Sequence, residues 1–106
     1  FTCTFGRIQH GYDVRPDLCA VACKTPPREF LGRFWVDSLA HSQDVLALAV
    51  GLYGEDRVIL GTDYPFPLGE LQPGKLISES PLPQATKEKL LYKNALEFLG
   101  ISASLL

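Results

Sequence analysis

The chain of 106 residues is 46% hydrophobic, 21% charged and 10% aromatic, a globular composition that excludes disorder, collagen-like repeats and coiled coil. Ten Lys and Arg against twelve Asp and Glu leave a net charge of −2, which offers no basic face to a nucleic acid or an anionic membrane. No apolar run approaches the roughly 18 residues that a membrane-spanning helix needs.

Phe5, Ile8 and Tyr12 fall at i, i+3 and i+7, one face of a short helix; Arg7 and His10 lie off that stripe and Gly11 loosens its end. Arg15-Pro16-Asp17 reads as a helix start, because proline fits the first turn where its missing N–H is not needed, and Leu18 to Cys23 continue it for about a turn. Lys24-Thr25-Pro26-Pro27 breaks the chain, and Arg28 to Leu31 form a turn ending at Gly32. Arg33 to Ser38 is a strand candidate rich in aromatic and β-branched residues.

Ser42 can cap the next helix, with Asp44 favouring the positive end of its dipole. Its expected apolar face is Val45, Leu48, Ala49 and Leu52, widened by Leu46, Val50 and Tyr53 and stopped at Gly54. Arg57 to Gly61 is a continuous apolar run, the pattern of a strand buried on both faces. Strand, helix and strand together make a βαβ unit with a parallel pair.

Thr62 to Pro73 is a loop with Pro65, Pro67 and Gly69, and Leu76-Ile77 suggest a short helix after it. The last helix begins near Gln84, carries Leu91, Ala95, Phe98 and Leu99 on one face and ends at Gly100; Asn94 interrupts it and marks a bend or a second start. The expected use of Asn94 is to satisfy backbone groups at that junction.

Two parallel strands of buried composition need sheet neighbours and covering helices, and this chain provides one crossover unit with no other convincing strand. It also contains no methionine. The expectation is therefore an α/β fold that forms the C-terminal piece of a larger domain, residues 1–106 belonging to a single unit. Cys3, Cys19 and Cys23 cannot all pair and match no zinc spacing, so reduced thiols in a cytosolic protein are expected; no secretory leader is recognised.

Asp63 lies just past the end of the second buried strand. In α/β barrels that end carries the chemistry, yet an Asp before Tyr64-Pro65 is equally suited to capping a turn, and position alone does not choose. The run Gly54-Glu55-Asp56-Arg57-Val58-Ile59-Leu60-Gly61-Thr62-Asp63-Tyr64-Pro65 resembles the last-strand signature of the metal-dependent amidohydrolase superfamily, in its branch of related decarboxylases. Gly6-Arg7-Ile8 with His10-Gly11, Arg15-Pro16-Asp17-Leu18-Cys19, Asp63 to Glu70, Pro73 to Ile77 and Asn94 to Gly100 resemble the same branch, so the likeness covers residues 5–101.

That resemblance implies the C-terminal portion of a (β/α)8 TIM barrel, its last two strands and their helices. It also implies zinc-dependent, oxygen-independent decarboxylation of 2-amino-3-carboxymuconate 6-semialdehyde to 2-aminomuconate semialdehyde, a step of tryptophan breakdown by the kynurenine route that limits quinolinate formation. A cytosolic homodimer acting on a small molecule, without nucleic acid or membrane, follows from the same source. In that branch zinc is held by a His-x-His pair, a later His and an Asp on the eighth strand; Asp63 matches the Asp, and His10 and His41 lie outside the histidine motifs. Arg7 matches an arginine that reaches a neighbouring subunit's substrate carboxylates, against the plain alternative of a solvated helix arginine. Phe66 matches an aromatic wall of the pocket, against simple packing.

With one ligand of the set present, the chain alone is expected to be inactive; the other reading is a truncated, non-catalytic binding or regulatory protein that pairs with a full-length subunit. Asp37 is expected to orient loops, His10 and His41 to lie at the surface, and Trp35 with Val45, Leu48 and Leu52 to form core.

Overall fold

Capping chemistry places the main helix. Ser42 is extended and its Oγ accepts the Val45 amide at 3.4 Å, while Gly54, at φ 93°, ends the helix in a conformation that side chains disfavour. In the computed structural model, which describes residues 1–105, this helix joins two short parallel strands. The elements are α1 (Phe5–Val14), α2 (Pro16–Cys19), β1 (Val36–Asp37), α3 (Gln43–Tyr53), β2 (Val58–Ile59), α4 (Lys75–Ser78), α5 (Gln84–Glu88) and α6 (Asn94–Leu99). A π-helical turn over Lys89–Lys93 links α5 to α6.

The βαβ unit forms as the apolar runs predict, with Val36 opposite Val58 and Asp37 opposite Ile59. The ladder is shorter than the strand-like stretch from Arg33 to Ser38 suggested. A strand lasts as long as its backbone finds partners, and the Val36 and Ser38 amides reach Arg57 O and Ile59 O at 2.9 Å each. The other edge of β2 is occupied by the C-terminal helix: Asn94 Nδ2 donates to Val58 O at 2.8 Å and to Glu55 O at 2.7 Å, and the Leu60 amide donates to Leu90 O at 3.0 Å. Asn94 satisfies backbone groups at the helix junction, as expected of it.

Leu46, Val58, Ile77 and Leu90 form the core, with Val36, Val50, Leu60, Leu76, Leu82 and Leu91 packed on it. The expected face of α3 is rotated. Leu46, Ala49 and Tyr53 are buried, whereas Val45 and Leu48 are 39% and 45% exposed, so the Val45-Leu48-Leu52 stripe is not core. The helix is apolar around most of its circumference, so its periodicity does not determine which side meets the strands.

The last helix shows a second shift. Its π turn inserts a residue into the helical repeat, and the buried positions become Thr86, Leu90 and Asn94, leaving Phe98 and Leu99 exposed. Trp35 is half-buried rather than central, with Phe98 edge-on at 5.7 Å and the Arg57 guanidinium 4.4 Å above its ring.

α1 runs past Gly11 to Val14, and α2 stops at Cys19 rather than continuing to Cys23. Ile8, expected on the buried stripe of α1, is 40% exposed, while Gln9 is buried and holds the Arg28 amide at 2.8 Å. Cys3, Cys19 and Cys23 are free and exposed. The radius of gyration is 16.0 Å. A compact domain of this length has about 13 Å. Leu18, Val21, Phe98 and Leu99 lie open on this extended shape.

Around the entry to β2, Lys89 Nζ lies 2.6 Å from Glu55 Oε1 and 2.9 Å from Asp56 Oδ1, and Thr86 Oγ1 donates to Glu55 Oε2 at 2.6 Å. The Lys89 ammonium first, then the Thr86 hydroxyl, hold the Glu55 carboxyl below its usual range; Glu55 and then Asp56 hold Lys89 above its own. A depressed carboxyl contributes stability at neutral pH that disappears as pH falls through its folded-state pKa, and a raised ammonium loses its contribution only at strongly alkaline pH. Glu55→Gln should therefore be less stable than the parent at pH 7, the difference closing below about pH 4.5. Urea midpoints measured from pH 7 to 3 check this; a difference that is constant with pH would remove the ion pair's part in it.

Candidate functional site

The carboxyl ends of β1 and β2 are bound to each other by small residues. A Cβ on Gly61 would lie 2.7 Å from the Asp37 Cβ, so only glycine lets the strands cross this closely. The buried Ser38 hydroxyl accepts the Gly61 amide at 3.3 Å, and Asp37 Oδ1 accepts the Leu39 amide at 2.9 Å. Asp37 thus orients the loop after β1, the role expected for it.

Beyond Gly61 the chain folds into a closed loop. The Phe66 amide donates to Asp63 O at 2.9 Å, the Gly69 amide to Phe66 O at 2.9 Å, and the Glu70 amide to Thr62 O at 2.8 Å. Closure requires glycine at position 69, where a Cβ would sit 2.4 Å from Thr62 O and 3.0 Å from Asp63 O. Between this loop and the segment after β1 lies a cleft of about 370 Å³, lined by Ser38, His41, Glu70, Lys75 and Glu79 among others.

Asp63 adopts the left-handed conformation, φ 57°, within this loop. Asp and Asn tolerate that region better than other side chains, and a residue held there by its surroundings frequently belongs to a functional site. The turn is closed by the Asp63 carbonyl and not by its side chain. Thr62 Oγ1, rather than Asp63, accepts the Tyr64 amide, at 3.3 Å. Among the described residues the Asp63 carboxylate accepts no hydrogen bond and joins no ion pair, and the residue is exposed, so its side chain makes no capping bond to the turn. An exposed carboxylate on a strand-end loop can accept a proton or bind a cation.

Phe66 shares the loop with Asp63 and is 63% exposed, so it does not pack as core. Arg7 lies elsewhere. It is exposed on α1, which packs on α2, on the turn Thr2–Thr4 and on the turn Pro27–Phe30, and among the described residues its guanidinium is unpaired. Asp63 and Phe66 therefore share one loop, tied by a backbone hydrogen bond, and Arg7 sits on a separate element. His10 and His41 are exposed, as expected.

Among the described residues no three His, Cys, Asp or Glu side chains are grouped so as to hold a metal ion. The sequence alone assigns no site role to Ser38, which ends the strand candidate, or to Gly69 and Glu70, which lie in the loop. An acidic residue a few positions ahead of the short helix at Leu76-Ile77 is a capping signal that could have singled out Glu70.

Comparison with known proteins identifies the family. A family model described as amidohydrolase matches residues 6–101. A 2-amino-3-carboxymuconate-6-semialdehyde decarboxylase of Dictyostelium discoideum is 59% identical over 102 residues, 95% of this chain and 28% of that protein. The protein of the same name from Caenorhabditis elegans is 47% identical over the same share of this chain and 25% of its own length. The chain thus spans about a quarter of the curated relatives it matches. In fold it is similar to a Staphylococcus aureus crystal structure described as an amidohydrolase, with a TM-score of 0.74 at 22% identity over 95% of this chain and 32% of that one.

Proposed function

This chain belongs to the amidohydrolase family, and from that premise we propose that it is the C-terminal portion of a (β/α)8 barrel that decarboxylates 2-amino-3-carboxymuconate 6-semialdehyde. On this reading β1 and β2 are the last two barrel strands. The product is 2-aminomuconate semialdehyde, within tryptophan breakdown, and the complete protein is a cytosolic homodimer. No helix among the described residues is long and apolar enough to cross a membrane. The observation that carries the reading is the Asp63 carboxylate, held at a strand end in a strained conformation with none of its oxygens used by the fold.

Zinc is the ion that the family resemblance implies, and the described residues do not fit it by themselves. A zinc site takes three or four protein ligands, and Asp63 offers one. The chain's own contributions are recognition and confinement. Arg7 carries a planar, permanently charged fork that matches a carboxylate with two parallel hydrogen bonds, and its position on a separate helix suits delivery to a neighbouring subunit's site. Phe66, exposed on the loop that carries Asp63, would supply an apolar wall that excludes water on one side of the substrate.

The test is decarboxylation of this substrate by the complete protein, followed by subunit mixing. Arg7→Ala should lower kcat/KM by about tenfold or more, the worth of a charge-assisted pair, with the metal content unchanged. Mixed with a subunit inactivated at Asp63, it should regain activity in heterodimers, because one of the two sites then draws each good part from a different chain. Mixtures that stay inactive while subunits demonstrably exchange would rule out an arginine acting across the interface.

A further inference from the structure

Glu70 closes the loop that carries Asp63 and Phe66, and it does so with three hydrogen bonds of its own. Its amide donates to Thr62 O at 2.8 Å, while its two carboxylate oxygens accept from Gly74 N at 3.2 Å and from Leu76 N at 3.0 Å, at the start of α4. The Leu76 carbonyl accepts in turn from Gln43 Nε2 at 2.9 Å. One path of hydrogen bonds therefore runs from the first turn of α3 through α4 and Glu70 to the peptide that precedes Asp63. The cation that shares the cleft wall, Lys75, faces Glu79 at 3.9 Å, so the acceptors of Glu70 are spent on backbone amides.

We propose that Glu70 is the positioning residue of Asp63, its carboxylate clamping the 62–70 loop to α4 so that the left-handed Asp63 is held against the ends of the strands. The residue type suits the task. Hydrogen bonds to an ionised acceptor are about twice as strong as neutral ones, and a carboxylate offers two acceptors where two amides arrive. Glutamine keeps one acceptor and turns a donor toward the other amide; aspartate is one methylene too short to reach both. The consequence for catalysis rests on the proposed decarboxylase reading, whereas the consequence for the loop rests on the geometry alone.

The experiment uses the complete protein with Glu70→Gln and Glu70→Ala, read by amide hydrogen exchange and by steady-state kinetics. In Glu70→Ala the amides of Phe66, Gly69, residue 70, Gly74 and Leu76 should exchange about tenfold faster or more, while the ladder amides of Val36 and Ser38 keep their rates. Over the same change kcat should fall about tenfold, and Glu70→Gln should lie between Ala and the parent in both readouts. Unchanged exchange at Phe66 and Gly69 would overturn the clamp, and faster exchange there with kcat and KM intact would overturn the positioning of Asp63, leaving Glu70 a loop clamp without a part in catalysis. If Ala does not fold, the Gln variant decides by the same criteria. A protein without decarboxylase activity would defeat the functional reading, and the exchange rates would still decide the clamp.

Discussion

Asp63→Asn in the complete protein is expected to abolish most decarboxylation while leaving the fold intact. Asparagine tolerates the left-handed conformation as well as aspartate does, and Asp63 O, not its side chain, closes the turn to Phe66. The substitution therefore removes an anion and almost nothing else. A group that only orients a metal ligand typically costs 10–100-fold when removed, so Asp63, in the ligand role proposed for it, should cost at least about a hundredfold. Bound zinc should fall in parallel, and the unfolding midpoint should move little.

Asp63→Ala is the poorer probe, since forcing alanine into the left-handed region adds roughly 1–2 kcal/mol of backbone strain to the loss of charge. Full activity and full zinc content in the Asn variant would leave Asp63 a loop residue and take away the chemical support for the barrel assignment.

Asn94→Ala is expected to destabilise the fold as strongly as truncating a core leucine while leaving the strand-end loop untouched. Asn94 is 2% exposed, and its one amide nitrogen serves the carbonyls of both Glu55 and Val58. Alanine strips both, and each carbonyl left without a donor costs about 1–3 kcal/mol where it is buried, as at Val58, and less at the partly exposed Glu55, a total of roughly 2–5 kcal/mol. That is a large part of the 5–15 kcal/mol by which ordinary proteins are stable.

Asn94→Asp, nearly identical in shape, should be at least as harmful, because an ionised carboxylate has no donor and faces two carbonyl oxygens. Urea unfolding of the complete protein measures both. The midpoint should drop with an unchanged slope, and the Leu60 amide, which donates to Leu90 O across the same edge, should lose protection from exchange. An Ala variant within about 0.5 kcal/mol of the parent, the scatter of surface substitutions, would show that water or another donor replaces the side chain at no cost.

Local chemistry was legible in the residues themselves. Pro16 at a helix start, the Ser42 cap, the Gly54 stop and the Asn94 junction act within a few residues of chain, where backbone geometry and hydrogen-bonding capacity leave few choices. The parallel pair was legible too, because a run such as Val58-Ile59-Leu60 between polar ends has few other uses. The resemblance carried by the stretch from Gly54 to Pro65 indicated the family before any contact was known.

What only the tertiary structure decided were facts about partners. Which side of α3 is buried depends on where the strands lie, since Val45 and Leu48 are as apolar as Leu46 and Ala49 and differ only in what they face. The π turn at Lys89–Lys93 arises where Leu90 O must meet the Leu60 amide and Asn94 must reach Val58, a constraint between segments some thirty residues apart that helical periodicity does not contain. The same holds at the site: an Asp before Tyr-Pro can cap a turn or stand free. The choice fell to Gly69 and Glu70, which close the loop through the backbone and leave the Asp63 carboxylate to face solvent.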